Sequence, residues 1–110
     1  MTKLGTLKLA GASDQTYNFT VYNYDTEFTA VGAVYEITRR ERKPDGNYSH
    51  TAIYIGETGD LSTRFDNHHK ESCFTQNNAN CKCIHLDANE DSRLMKEADL
   101  IANYNLPCND

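Results

Sequence analysis

The stretch Tyr54-Ile55-Gly56-Glu57-Thr58-Gly59-Asp60-Leu61-Ser62-Thr63-Arg64-Phe65-Asp66-Asn67-His68 decides how the rest of the chain is read. It begins inside an apolar run, Ala52-Ile53-Tyr54-Ile55, which predicts a buried strand. Gly56-Glu57-Thr58-Gly59 is turn chemistry, with two glycines that accept positive φ. Asp60 stands where an N-cap is wanted, its carboxylate available to the free N–H groups of a first helical turn. A helix is predicted from about Leu61 to near Lys70, with Leu61, Phe65 and His68 at i, i+4 and i+7 on its inner face. Arg64 and His68 are four apart, so that helix makes them neighbours.

Upstream, Ala30 to Thr38 reads as another strand, and Pro44-Asp45-Gly46-Asn47 as a strong turn, so residues 30–56 form a hairpin. With the turn near Asp45, Tyr35 falls opposite Tyr54 or one pair away, and the two tyrosines share a face. Further upstream, residues 3–9 and Thr16 to Tyr22 alternate around a turn at Ala10–Asp14, with Tyr17, Phe19 and Val21 on one face. That is a second hairpin, over residues 1–29. It either extends a sheet edge or mediates a homodimer, and the sequence leaves the two open. Downstream, residues 71–80 are polar, with a short helix and a loop. Cys81 to Leu86 is a fifth strand, and a long helix runs from about Glu90 to Tyr104 with Asn89 as its cap. On it, Leu94, Glu97, Ile101 and Tyr104 form an apolar stripe that Glu97 interrupts. A carboxylate there is costly unless paired or bound to a cation. Spacing leaves a buried pair with Arg64 and a metal-ligand role equally open.

At 110 residues the chain fits one compact α+β domain: a small antiparallel central sheet flanked by helices. No apolar run is long enough for a transmembrane helix and no signal-peptide core is present, so a cytoplasmic location is expected. A net charge of −5 argues against strong non-specific nucleic-acid binding but leaves room for a local basic patch. Four cysteines raise the disulfide and metal questions. Cys81, Cys83 and His85 point to one face of a strand, but without the spacing of a structural zinc site. Reduced, half-buried thiols are the expectation.

Residues 31–110 resemble the GIY-YIG nuclease domain. Tyr54-Ile55-Gly56 matches its second motif. Arg64 lies ten residues beyond the motif tyrosine, and His68 follows one turn later. Glu97 falls where that family carries its metal-binding glutamate, and Asn109 follows a Pro-containing C-terminal segment. The first motif departs from the pattern, as Ala33-Val34-Tyr35 with Gly32 one residue earlier, and the hairpin loop between the motifs is longer. The resemblance implies residues 30–110 as a nuclease domain and an endonuclease that hydrolyses DNA phosphodiester bonds. It implies one Mg²⁺ or Mn²⁺ on Glu97, Tyr54 as general base and Arg64 as transition-state stabiliser. It implies too that Tyr35 and His68 position water and relay its proton, and that Asn109 supports the site. A phenol is a poor base until positive charge stands beside it, which is Arg64's second use. Arg39, Arg40 and Lys70, with Arg42 and Lys43, are the cations expected to meet DNA if they cluster around the site. The alternative is a non-catalytic module on the same fold that binds nucleic acid or protein; a zinc-stabilised domain on Cys81, Cys83 and His85 is the third reading.

Overall fold

Apolar–polar alternation in the N-terminal hairpin and contiguous apolar runs further along the chain give the strands. The structure, a computed structural model, describes residues 3–66 and 68–109. In chain order the elements are β1 (Lys3–Ala10), β2 (Thr16–Asn23), β3 (Ala33–Arg42), β4 (Tyr48–Thr58), α1 (Leu61–Arg64), α2 (Glu71–Gln76), β5 (Cys81–Leu86) and α3 (Glu90–Ile101). The strands make one antiparallel sheet in the order β1-β2-β5-β3-β4. The N-terminal hairpin is therefore built into the sheet, through β2 on β5.

Because side chains alternate across a strand, the sheet has two cores. On one face Phe19, Val21, Val34, Ile55, Cys81 and Cys83 pack with Leu100 of α3 and with Leu106. On the other, Tyr35, Ile37, Ile53, Tyr54 and Ile84 pack with Leu61 of α1, Phe74 of α2 and Cys108. Leu106 and Cys108 belong to opposite cores, so the C-terminal segment wraps around β4, the outer strand of the sheet. Hydrogen bonds hold it there. The Cys108 amide donates to the Ile53 carbonyl at 3.1 Å. The Asn109 side chain accepts from the Ile55 amide at 2.8 Å and donates to the Ile55 carbonyl at 2.7 Å. A primary amide thus imitates one residue of a neighbouring strand and satisfies backbone groups that an edge leaves open.

Six expectations are corrected. Gly56-Glu57-Thr58 is not a turn but the end of β4, paired with Tyr35, Val34 and Ala33, and neither Gly56 nor Gly59 takes positive φ. The helix from Leu61 stops at Arg64 rather than near Lys70: the Phe65 amide turns back to the Thr63 carbonyl, as does that of Asp66. His68 therefore sits in the connection before α2, and Asn67 between them lies outside the described residues. The third strand starts at Ala33, not Ala30, and continues to Arg42, because its charged outer half still pairs with β4. The ladder puts Tyr35 opposite Gly56 and Tyr54 opposite Ile37, with a shift between Ile37 and Thr38. Tyr54 is thus diagonal to Tyr35 on the same face. The last helix ends at Ile101, and its inner stripe runs through Arg93, Glu97 and Leu100, while Leu94 is 45% exposed. Finally, Cys73 and Cys108 are joined in a disulfide, and only Cys81 and Cys83 are free and buried.

Candidate active site

Gly56 is where the two tyrosines come together. A Cβ at this position would meet the Tyr35 hydroxyl at 2.6 Å and Tyr54 Cε2 at 2.9 Å, so only a residue without a side chain lets both rings close over β4. The rings lie 6.0 Å apart between centroids, and Phe65, His68 and Phe74 pack around them.

The Tyr35 hydroxyl is the centre of the polar network. Arg64 Nε donates to it at 2.9 Å, and His68 Nε2 lies 2.9 Å away. The tautomer of His68 follows from its other nitrogen. The Lys70 amide donates to His68 Nδ1 at 3.0 Å, so Nδ1 is bare and the neutral ring carries its proton on Nε2. Burial, then the charges of Arg64, His69 and Lys70, push His68 down to about 4, which keeps the ring neutral near pH 7. Tyr35 oxygen therefore accepts twice, and its own proton is free to turn towards Tyr54. Burial pushes the Tyr35 hydroxyl well above the usual phenol range, reinforced by Tyr54 and opposed by Arg64. Arg64 in turn stays a cation: the two phenols outweigh its own desolvation.

Tyr35 is fully buried, and His68 is 7% exposed. Together they brace Arg64 through the Tyr35 hydroxyl and pack against the Tyr54 ring. Arg64 is half-buried and Tyr54 has an accessible rim at 8%. Asn109 spends both ends of its amide on Ile55, next to Tyr54. It positions β4.

Glu97 comes from the other side, on α3. Burial, then the Glu57 carboxylate, raise its pKa, while the Arg64 guanidinium and the Glu57 backbone N–H pull the other way. Arg64 itself bonds to the tyrosine hydroxyls, and Glu97 feels the guanidinium through space. Sequence reasoning missed the two residues that frame Glu97. Glu57 pairs with Arg93 at 2.9 Å, and Arg93, 5% exposed, also donates to the Asp87 carbonyl. Arg93 lies one turn before Glu97 on the same face, and Glu57 directly follows Tyr54-Ile55-Gly56. Those spacings were the available signal.

Among the described residues no three His, Cys, Asp or Glu side chains converge as a metal-binding group. Among the described residues Glu97, which feels the Arg64 charge, makes no ion pair, and hard oxygen donors of this kind suit Mg²⁺ or Mn²⁺ completed by water and substrate oxygens. His85 is occupied on both nitrogens, by the Asn18 carbonyl and Lys96 Nζ, and burial raises both free thiols beside it.

The other cations divide. Arg39 pairs with Glu41, and Arg40 lies 4.0 Å over the Tyr48 ring. Arg40 and Arg42 occupy the opposite set of β3 positions from Tyr35. Lys70 stands by His68. A cleft of about 380 Å³ next to Phe65 is lined by Asp25, Glu27 and Asp66 with one cation, Lys82. Its charge is wrong for a phosphate.

Compared with protein-family models, curated proteins and solved structures, the chain matches none.

Proposed function

We propose that the protein is an endonuclease that hydrolyses DNA phosphodiester bonds at Tyr54, Arg64 and Glu97, with one divalent cation. The observation that carries this reading is the Tyr35 hydroxyl, which receives both Arg64 and His68 beside Tyr54. A buried phenol held that way orients a guanidinium without neutralising it. A phosphodiester needs positive charge where its non-bridging oxygens gain negative charge, and a planar fork matches phosphate geometry. Arg64 supplies it. Tyr54 receives the proton of the attacking water, with its ring stacked on that of Tyr35, whose hydroxyl holds Arg64. Tyr35 and neutral His68 fix the pair as positioning residues. Glu97 would hold Mg²⁺ or Mn²⁺, which supplies charge to the scissile phosphate and to the leaving oxygen.

The test is nicking of supercoiled plasmid and of a branched DNA with Mg²⁺ or Mn²⁺, beside Glu97→Ala and Arg64→Ala. Nicking should vanish in the first and fall in kcat by about 10²–10³ in the second, with little change in KM. Nicking that survives in Glu97→Ala ends the metal role. No cleavage by the unmodified protein on either DNA moves the reading to a binding module on the same fold, which the net charge of −5 favours.

A further inference from the structure

Two contacts bracket Tyr54 along the outer edge of β4, and a covalent bond controls one of them. The Cys108 amide holds the Ile53 carbonyl, and the Asn109 side chain holds both backbone groups of Ile55. On the other side of the same ring stands Phe74 of α2, with its centroid 5.3 Å from that of Tyr54 and 5.0 Å from that of His68. Cys73 precedes Phe74 in α2, and its disulfide to Cys108 ties the two walls together. Asn77 Nδ2, which donates to the Cys73 carbonyl at 2.9 Å, also lies against both sulfurs. Cys108 is 1% exposed and Cys73 is half-buried, so Cys73 Sγ is the sulfur that a reagent reaches first.

We propose that the Cys73–Cys108 pair is a thiol–disulfide exchange site for a dithiol reductant, and that its oxidised form latches the C-terminal segment onto β4 beside Tyr54. The regulatory half of this rests on the nuclease reading; the latch itself does not. In the exchange, a thiolate of the reductant attacks Cys73 Sγ and the Sγ–Sγ bond breaks, with the electron pair leaving on Cys108 Sγ, which takes a proton. The second thiol of the reductant then attacks its own sulfur in the mixed disulfide, releases Cys73 as a thiol, and leaves as a cyclic disulfide. Two electrons and two protons pass to the protein. Cys81 and Cys83 take no part, since they are already thiols and are buried in the other core. After reduction the bonds to Ile53 and Ile55 and the burial of Leu106 and Cys108 hold the segment without a covalent tie, against its regained chain entropy. Compartments that keep disulfides and compartments that reduce them would therefore hold the protein in different states.

Amide exchange of the oxidised and the dithiol-reduced protein tests the latch. The amides of Ile55 and Cys108 should exchange at least tenfold faster after reduction, with those of β3 and β5 unchanged. A Cys73→Ser, Cys108→Ser variant should exchange fast at both positions with or without reductant. Equal protection of Ile55 in the two redox states overturns the latch. A rise across β3 and β5 as well also overturns it, because the bond would then hold the whole fold. Plasmid nicking is measured on the same samples. A tenfold fall on reduction that reverses on reoxidation supports the regulatory half, and equal nicking despite a released Ile55 overturns it. Absence of nicking in both states counts against the nuclease reading, and the exchange result stands apart from it.

Discussion

Glu36 lies in the middle of β3 between Ile55 on one side and Cys83 on the other, and it is 1% exposed. Its Oε2 finds no hydrogen-bond partner among the described residues, and burial pushes its carboxyl up to about 8. The folded state thus prefers the protonated acid. Between about 4.5 and 8 the folded chain binds more protons at this position than the unfolded chain, so stability is full below 4.5 and is lost as pH rises through 8. His68 has the opposite slope. Its folded pKa is lowered, so its contribution is full above the usual histidine value and is lost as pH falls towards 4. A Glu36→Met variant, which fills the same space without the unpaired oxygen, should be more stable at pH 8 by about 2 kcal/mol or more and lose its excess near pH 4. Urea unfolding at the two pH values measures it. An equal change at both would mean that shape, not charge, dominates at this position. Nothing in Val34-Tyr35-Glu36-Ile37 announces this behaviour, because a strand that is covered on both faces hides its polar residue as well as its apolar ones.

At the scale of elements, β3 and β4 set the site by their register. Opposite Tyr35 stands Gly56, and the absence of a Cβ there leaves room for the hydroxyl that joins Arg64 to His68. Gly56→Ala should therefore act on the site through the ladder. The added methyl must displace the Tyr35 ring or the Tyr54 ring, at a cost of about 1–3 kcal/mol in stability. A displacement of about 1 Å at such a group lowers turnover by about 10². Thermal unfolding and plasmid nicking read the two effects, and a variant with unchanged nicking would separate Tyr35 from the chemistry. The strands were legible because alternation and short apolar runs bounded by turns are local signals: the expected span Cys81–Leu86 matches β5, and the other strand ends move by a few residues. The N-cap Asp60 was legible too, and its side chain does accept from the Ser62 amide. What was not legible is where a helix gives way to tertiary contacts. The i, i+4 spacing of Arg64 and His68 is met on a different backbone, with His68 folded back onto Tyr35 from a connection. On α3 the inner stripe turns by one position, because the ion pair of Arg93 with Glu57 draws Arg93 inward in place of Leu94. The Cys73–Cys108 bond spans 35 residues, and its connectivity is a property of the fold that no spacing rule supplies.

Over the whole molecule, charge is divided unevenly. β5 pairs with β3 only as far as Thr38, whereas β4 follows it to Arg42, so the far half of the β3–β4 hairpin runs beyond the sheet as a two-stranded ribbon. The ribbon carries Arg39, Arg40, Arg42 and Lys43 against Glu41 and Asp45, on a chain whose net charge is −5. Asn80 closes one side of it through both backbone groups of Arg40. The longer connection between the two tyrosine strands is thus a basic arm on an acidic protein. A two-stranded ribbon has a width that the major groove of a duplex accepts, and the acidic remainder repels a second pass of the same backbone. If the ribbon carries the contact with DNA, Arg42→Gln with Lys43→Gln should weaken duplex binding to a similar degree on unrelated sequences. The slope of log affinity against log salt concentration should become shallower by about 2, one unit for each phosphate contact removed. Fluorescence anisotropy over a salt series gives that slope. Tyr35, Arg64 and Glu97 are untouched by the double substitution, so the same protein should still nick plasmid at saturating concentration in low salt. An unchanged slope would take the ribbon out of DNA binding and move the contact to Arg64 and Lys70 beside the two tyrosines.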